Sequence, residues 1–239
     1  MHPATIPPRG ISGKGFAFAA ARVLACVMKL TKYEHSAVVL DKAGQTVVID
    51  PGSFTPPFTN LTGVVAIVIT HEHADHWTPE QLSRILSDNP DALIFGPAGV
   101  AAAAADFAVR VVGPGDTASA GDFSFRFFGG QHAEIHSSIP RIDNVGVLVD
   151  DSLYYAGDSF TLPEGVAVQT LAVPAGAPWL KISETIDYVL AVAPRHSFPT
   201  HEMGLSVSGK AMANGRIAWA TEQGGGEFHP LEPGESLDL

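Results

Sequence analysis

Between residues 71 and 76 the chain reads His-Glu-His-Ala-Asp-His, which puts His71, His73, Asp75 and His76 within six positions. Imidazole and carboxylate are the side chains that suit zinc, iron or manganese. His71 and His73 are two residues apart, so in an extended chain they face the same way. Asp75 and His76 follow where the chain turns, and can point to a neighbouring spot. Two such spots side by side make a two-metal site, whose chemistry is Lewis-acid activation of an electrophile and delivery of hydroxide near neutral pH. One loop histidine is ordinarily a polar surface residue. Four ligand-type side chains at this spacing are not explained that way.

The elements around this stretch must hold it still. The run Val64-Val65-Ala66-Ile67-Val68-Ile69 is β-branched and short, which predicts a buried strand. On the other side Thr78 is placed to cap a helix, with Pro79 as its first residue and Gln81 as the reciprocal capping-box partner. Upstream, residues 36–40 and 46–50 flank a turn containing Gly44 and read as a hairpin ending in Asp50-Pro51-Gly52. Downstream, Leu82, Ile85 and Leu86 share a helix face, residues 92–96 form a strand, 97–107 an Ala-rich helix and 109–112 a strand. Phe123, Phe125 and Phe127 alternate with Ser124 and Arg126, the pattern of an antiparallel strand with one buried face. That strand runs into Gly129-Gly130-Gln131-His132, where paired glycines allow a sharp turn close to a site. His132 and His136 are the rival ligand candidates in this loop. A hairpin over residues 145–156 ends in Gly157-Asp158-Ser159, and 168–173 is a buried strand followed by a Pro/Gly-rich loop. Ile182, Ile186, Val189 and Leu190 recur at helical spacing, and Ser197-Phe198-Pro199-Thr200 delivers His201 at a strand end. His196, nearer the helix, reads as structural. Residues 207–221 predict a helix weakened by Gly209 and Gly215, and 228–231 a closing strand.

His71, His73, Asp75 and His76 fit the pattern HxHxDH, and Gly157-Asp158 supplies a G-D pair. On these motifs the chain resembles the metallo-β-lactamase superfamily over about residues 28 to 222. The resemblance implies an α/β fold, a four-layer αββα sandwich with a metal site at one edge between the sheets. It implies that His71, His73 and His132 hold one divalent ion and that Asp75, His76 and His201 hold a second. Asp158 would bridge them, and Asp75 and Asp158 would serve catalysis directly. The family pattern puts the ligand at the first histidine of its loop, His132, and leaves His136 beside the substrate. Asp50 would support a metal-binding histidine from behind. His35 matches a histidine near the metal site in the branch that includes L-ascorbate-6-phosphate lactonase and N-acylphosphatidylethanolamine phospholipase D. The expected cofactors are two divalent ions, zinc foremost, with manganese or iron as alternatives. The expected activity is attack of a metal-bridging hydroxide on a small ester or lactone. The alternatives are a phosphodiesterase acting on a small or lipid phosphodiester, and a non-hydrolytic metal-binding member. Redox members with two irons put a carboxylate where His73 stands, which argues against that role.

Composition narrows the partners. The 239 residues are 46% hydrophobic and 16% charged, enough for a sizeable core. The single cysteine, Cys26, excludes an internal disulfide framework. No apolar run reaches the length of a membrane span. Arg9, Lys14, Arg22, Lys29 and Lys32 are the only charged side chains before Glu34, so the remainder carries nine basic against 25 acidic residues, a net −16. Such a body repels nucleic-acid backbones. The expected partner is a small-molecule substrate, with no nucleic acid and no stable membrane insertion. The oligomeric state is open, a homo-oligomer included. Residues 1–27 are expected to be an upstream extension of a hydrolase domain spanning 28–239 in a cytoplasmic protein, with export through residues 1–27 as the alternative. Loops 53–60, 134–144 and 175–181 could overhang the site with Phe54, Phe58 and Trp179, beside the cations Arg141 and Lys181. Apolar walls with one or two cations suit a small organic substrate bearing one anionic group.

Overall fold

The structure is a computed structural model that describes residues 1–2 and 27–239, so nearly all of the expected 1–27 extension lies outside the described residues. The first sheet contains β1 (Lys29–Lys32), β2 (Val38–Lys42), β3 (Gln45–Ile49), β4 (Val64–Val68), β5 (Leu93–Gly96), β6 (Val109–Val111) and β14 (Ser236–Asp238). The second contains β7 (Thr117–Ala120), β8 (Phe123–Gln131), β9 (Asp143–Val149), β10 (Leu153–Tyr155), β11 (Thr170–Pro174), β12 (His196–Thr200) and β13 (Glu227–Phe228). Their spatial orders are β14-β1-β2-β3-β4-β5-β6 and β13-β12-β11-β10-β9-β8-β7. The helices among the described residues are α1 (Pro79–Asp88), α2 (Ala98–Ala103), α3 (Ile182–Val192) and α4 (Val207–Gln223).

Period-two alternation decides which core each strand residue enters. Val38, Leu40, Val47, Ile49, Ala66 and Val68 face the second sheet, where they meet Phe123, Phe125, Phe127, Val147 and Tyr155. The intervening Val39, Val48 and Ile67 turn outward onto Leu82, Ile85 and Val100 of α1 and α2. On the second sheet Leu148, Tyr154 and Leu171 turn outward onto Tyr188, Val189 and Ile217 of α3 and α4. Three apolar layers thus separate four layers of structure, the αββα sandwich. Truncating one of the central phenylalanines to alanine is expected to cost about 3–5 kcal/mol. No helix among the described residues is long and apolar enough to cross a membrane.

Some elements differ from the expectation. The helix expected over 97–107 is only α2: past Ala103 the chain turns, and Ala104 and Phe107 pack into the outer core from that turn instead of from a continued helix. On α3 the buried face is Thr185, Tyr188 and Val189, while Ile182 and Leu190 are exposed. The ring of Tyr188 against Phe160, 5.3 Å away, sets that face. β7 and β14 carry little apolar signal and exist through backbone pairing to β8 and β1. Gln81 does not close a capping box. Thr78 Oγ1 accepts its amide at 3.1 Å, but its side chain accepts the amide of Phe58 and donates to the carbonyls of Thr55 and Pro56, pinning loop 53–60.

Candidate metal centre

The chain leaves the C-terminal ends of β3, β4, β8, β10 and β12 toward one region, and each exit carries a ligand-type residue: Asp50, His71, His132, Asp158 and His201. Two backbone bonds tie the sheets together there. Val145 N–H donates to the Thr70 carbonyl at 2.9 Å, and His201 N–H donates to the His35 carbonyl at 2.8 Å. His35, Asp50 and His201 all have positive φ, at 60°, 48° and 58°. Such left-handed residues cost free energy and persist where the surroundings over-determine them. His35 therefore sits in a strained turn between β1 and β2, not in a strand.

Four histidines present the same arrangement. Each Nδ1 lies against a local acceptor: His71 on Thr70 Oγ1 at 3.1 Å, His76 on Asp50 at 2.7 Å, His132 on the Ala133 carbonyl at 2.6 Å, and His201 on the Gly176 carbonyl at 2.7 Å. Each Nε2 is buried and has no hydrogen-bond partner. A histidine whose Nδ1–H is engaged offers its Nε2 lone pair to a metal. All four Nε2 atoms surround the buried Asp158 carboxylate, at 3.9 Å from His71, 3.2 Å from His76, 3.4 Å from His132 and 3.1 Å from His201. Asp158 is itself held by its N–H on Asn144 Oδ1 at 3.0 Å and by Trp179 Nε1–H on Oδ2 at 2.9 Å.

Two groups of donors result. His71, His73 and His132 form one, and His35, Asp75, His76 and His201 form the other, with donor atoms in each within 4.8 Å of one another. His71, His76 and Asp158 satisfy the same limit, so Asp158 lies between the two groups. His35 Nδ1 accepts the Met203 amide at 3.4 Å, which leaves its Nε2–H to donate to Asp75 at 3.1 Å. Its position is that of an orienting group for Asp75. Asp50 accepts Thr70 N–H at 2.8 Å, Thr70 Oγ1–H at 2.7 Å and His76 Nδ1–H, with both carboxylate oxygens used.

The electrostatics favour positive charge at the centre. Burial disfavours the Asp158 carboxylate, yet His76 and His201 outweigh burial and hold its pKa well below the usual range. Burial opposes the imidazolium of His76, but Asp158 and Asp50 raise its pKa well above the ordinary value. For His201 burial is again outweighed by Asp158, and the pKa is pushed up to about 9. Burial and neighbouring His76 keep His71 well below its ordinary value. Burial raises Asp75, and His201 and His35 more than reverse that. A carboxylate set that stabilises protons on two imidazoles can stabilise metal cations in their place.

The remaining expected residues fall into place unevenly. His136 is outside the cluster, its Nδ1 on Ser138 Oγ at 2.7 Å. Arg141 is exposed and paired with Glu134 at 3.2 Å. Phe58 is buried against Tyr33, 5.0 Å away, and lines neither chamber beside the centre, while Phe54 stands 4.8 Å from His35 and is exposed. Thr70 and Asn144 have supporting roles that residue type alone did not reveal. The only signal for Thr70 was its place just before His71.

Two chambers flank the centre. One, of about 750 Å³, touches His132 and is lined by polar groups including Glu134, His136, Arg141 and Lys181. The other, of about 600 Å³, touches Asp75 and His201 and is walled by Phe54, Ala177, Pro178 and Leu205.

Residues 29–201 match the family model described as a beta-lactamase superfamily domain. The chain is 38% identical over 199 residues to Protein Rv0786c of Mycobacterium tuberculosis, covering 81% of this chain and 93% of that protein. Its structure is similar to Igni18, described as a novel metallo hydrolase from the archaeon Ignicoccus hospitalis, with TM-score 0.68, 19% identity, and coverage of 89% and 98%. It is also similar to the metallo-beta-lactamase fold protein YhfI of Bacillus subtilis, with TM-score 0.66, 15% identity, and coverage of 90% and 100%. At these identities the two structures establish a shared fold.

Proposed function

Because the chain belongs to the β-lactamase superfamily and has the metallo-β-lactamase fold, we propose that it is a metal-dependent hydrolase acting on a small carboxylic ester or lactone. The observation that carries this reading is the ring of four buried, partnerless Nε2 atoms around the Asp158 carboxylate. In this reading His71, His73 and His132 would hold one divalent ion and Asp75, His76 and His201 a second, with Asp158 available to both. Zinc suits the nitrogen-rich donor set, with manganese or iron as alternatives. Bound ions would supply Lewis acidity and a water of lowered pKa.

The chain's own residues do the rest. Asp50, Thr70 and the carbonyls of Ala133 and Gly176 engage each Nδ1, which leaves Nε2 as the nitrogen turned to the centre. Trp179 fixes the rotamer of Asp158, and His35 fixes Asp75. The two chambers support a substrate with an apolar half beside Asp75 and His201 and a polar half beside His132. Arg141 is partly neutralised by Glu134, so the polar chamber suits one anionic group better than a polyanion. The second reading is phosphodiester hydrolysis, which Arg141 and Lys181 in that chamber favour. The test is a panel of esters and lactones assayed before chelation, after it, and after adding zinc back. Hydrolysis that vanishes and returns supports the reading; turnover indifferent to chelation contradicts it.

A further inference from the structure

The end of β12 remote from His201 carries a second convergence of ligand-type side chains. His196 opens β12 and pairs in register with Glu227 of the parallel strand β13. His229 follows Glu227 by two residues, so in extended chain both project to the same side. His196 Nδ1 and His229 Nε2 are 3.0 Å apart, and Glu227 Oε2 is 4.0 Å from each of them. A five-residue strand separates this cluster from His201, roughly 15 Å at the usual rise of an extended chain.

We propose that His196, Glu227 and His229 form a separate zinc site that clamps β13 and the C-terminal segment onto β12. Two imidazoles and one carboxylate, with water completing a tetrahedron, are a zinc donor set. At ordinary zinc–nitrogen distances two imidazole nitrogens on one tetrahedral ion stand about 3.3 Å apart, close to the spacing found here. Glu227 needs to move in by less than about 1 Å, and its side chain is 70% exposed and free to do so. His196 is 42% exposed, so an ion can arrive from solvent. The clamp has a structural purpose: among the described residues β13 has only two residues and pairs with β12 alone.

The test compares zinc content and zinc-dependent Tm of the wild type, Glu227→Gln, His196→Gln and His229→Gln after equilibration in the same buffered zinc. Glu227 is at the surface, so its variant leaves the core intact, and circular dichroism checks each fold. Each variant should hold one equivalent fewer than the wild type, gain less Tm from zinc, and keep the wild-type turnover. Equal zinc content in wild type and variants would overturn the site and leave a plain imidazole–imidazole hydrogen bond. Loss of one equivalent together with loss of turnover would also overturn it, because the missing ion would then belong to the main centre.

Discussion

Asp50 and His76 form a fully buried pair at 2.7 Å, and the same carboxylate accepts both the amide and the hydroxyl of Thr70. One side chain at the end of β3 therefore fixes the His76 tautomer and the backbone at the start of the ligand loop. Asp50→Asn keeps the shape but removes the charge that favours Nδ1–H. Metal affinity should fall about 10–100-fold, as for other outer partners of ligating histidines. Competition against a chromogenic chelator measures it, and unchanged affinity would show that Asp50 only closes a turn.

Asp158→Ala removes the one carboxylate that all four Nε2 atoms face. Two cations would then face each other without an intervening anion. The variant should bind one equivalent of metal fewer and lose nearly all turnover. Metal analysis and kinetics on the same sample check this; two retained ions with full activity would make Asp158 a bystander.

Gly52→Ala tests the packing behind Asp75. A Cβ at Gly52 would lie 1.8 Å from the Asp75 carbonyl oxygen, so backbone must move. The expected cost is about 1–3 kcal/mol, seen in a denaturant midpoint, together with weakened metal binding. Wild-type stability would mean that the loop after β3 yields freely.

Much of this was legible in the sequence because it rests on local rules. The alternating phenylalanines of β8 lie in the central layer as period two requires. Thr78 caps α1 through its hydroxyl. The loop that carries HxHxDH and the loop after β8 converge on one cluster, to which the second loop brings His132 and not His136. What was not legible depends on long-range partners. Nothing near Gln81 announces that its amide holds loop 53–60, and nothing near Phe58 announces Tyr33. Lys32 and Glu202 form a buried ion pair between residues 170 positions apart, which no local pattern reveals.

Metal uptake should be proton-coupled. In the metal-free protein His201 keeps its proton up to about pH 9 and His76 is also raised well above its ordinary value. Each must lose that proton to bind metal through Nε2. Uptake is therefore opposed at low pH and strengthens as pH rises through about 9. Zinc added to metal-free protein near pH 7 should release protons, and the release should shrink as the pH approaches that value. An indicator dye in weak buffer reads it. No release near pH 7 would mean the imidazoles are already neutral.

The proposed activity is tested most directly by kcat/KM of the zinc-loaded protein on a matched lactone and phosphodiester. The chambers and the Arg141–Glu134 pair predict that the lactone is preferred. A preference for the phosphodiester of about tenfold or more, near 1.4 kcal/mol of transition-state stabilisation, would contradict it.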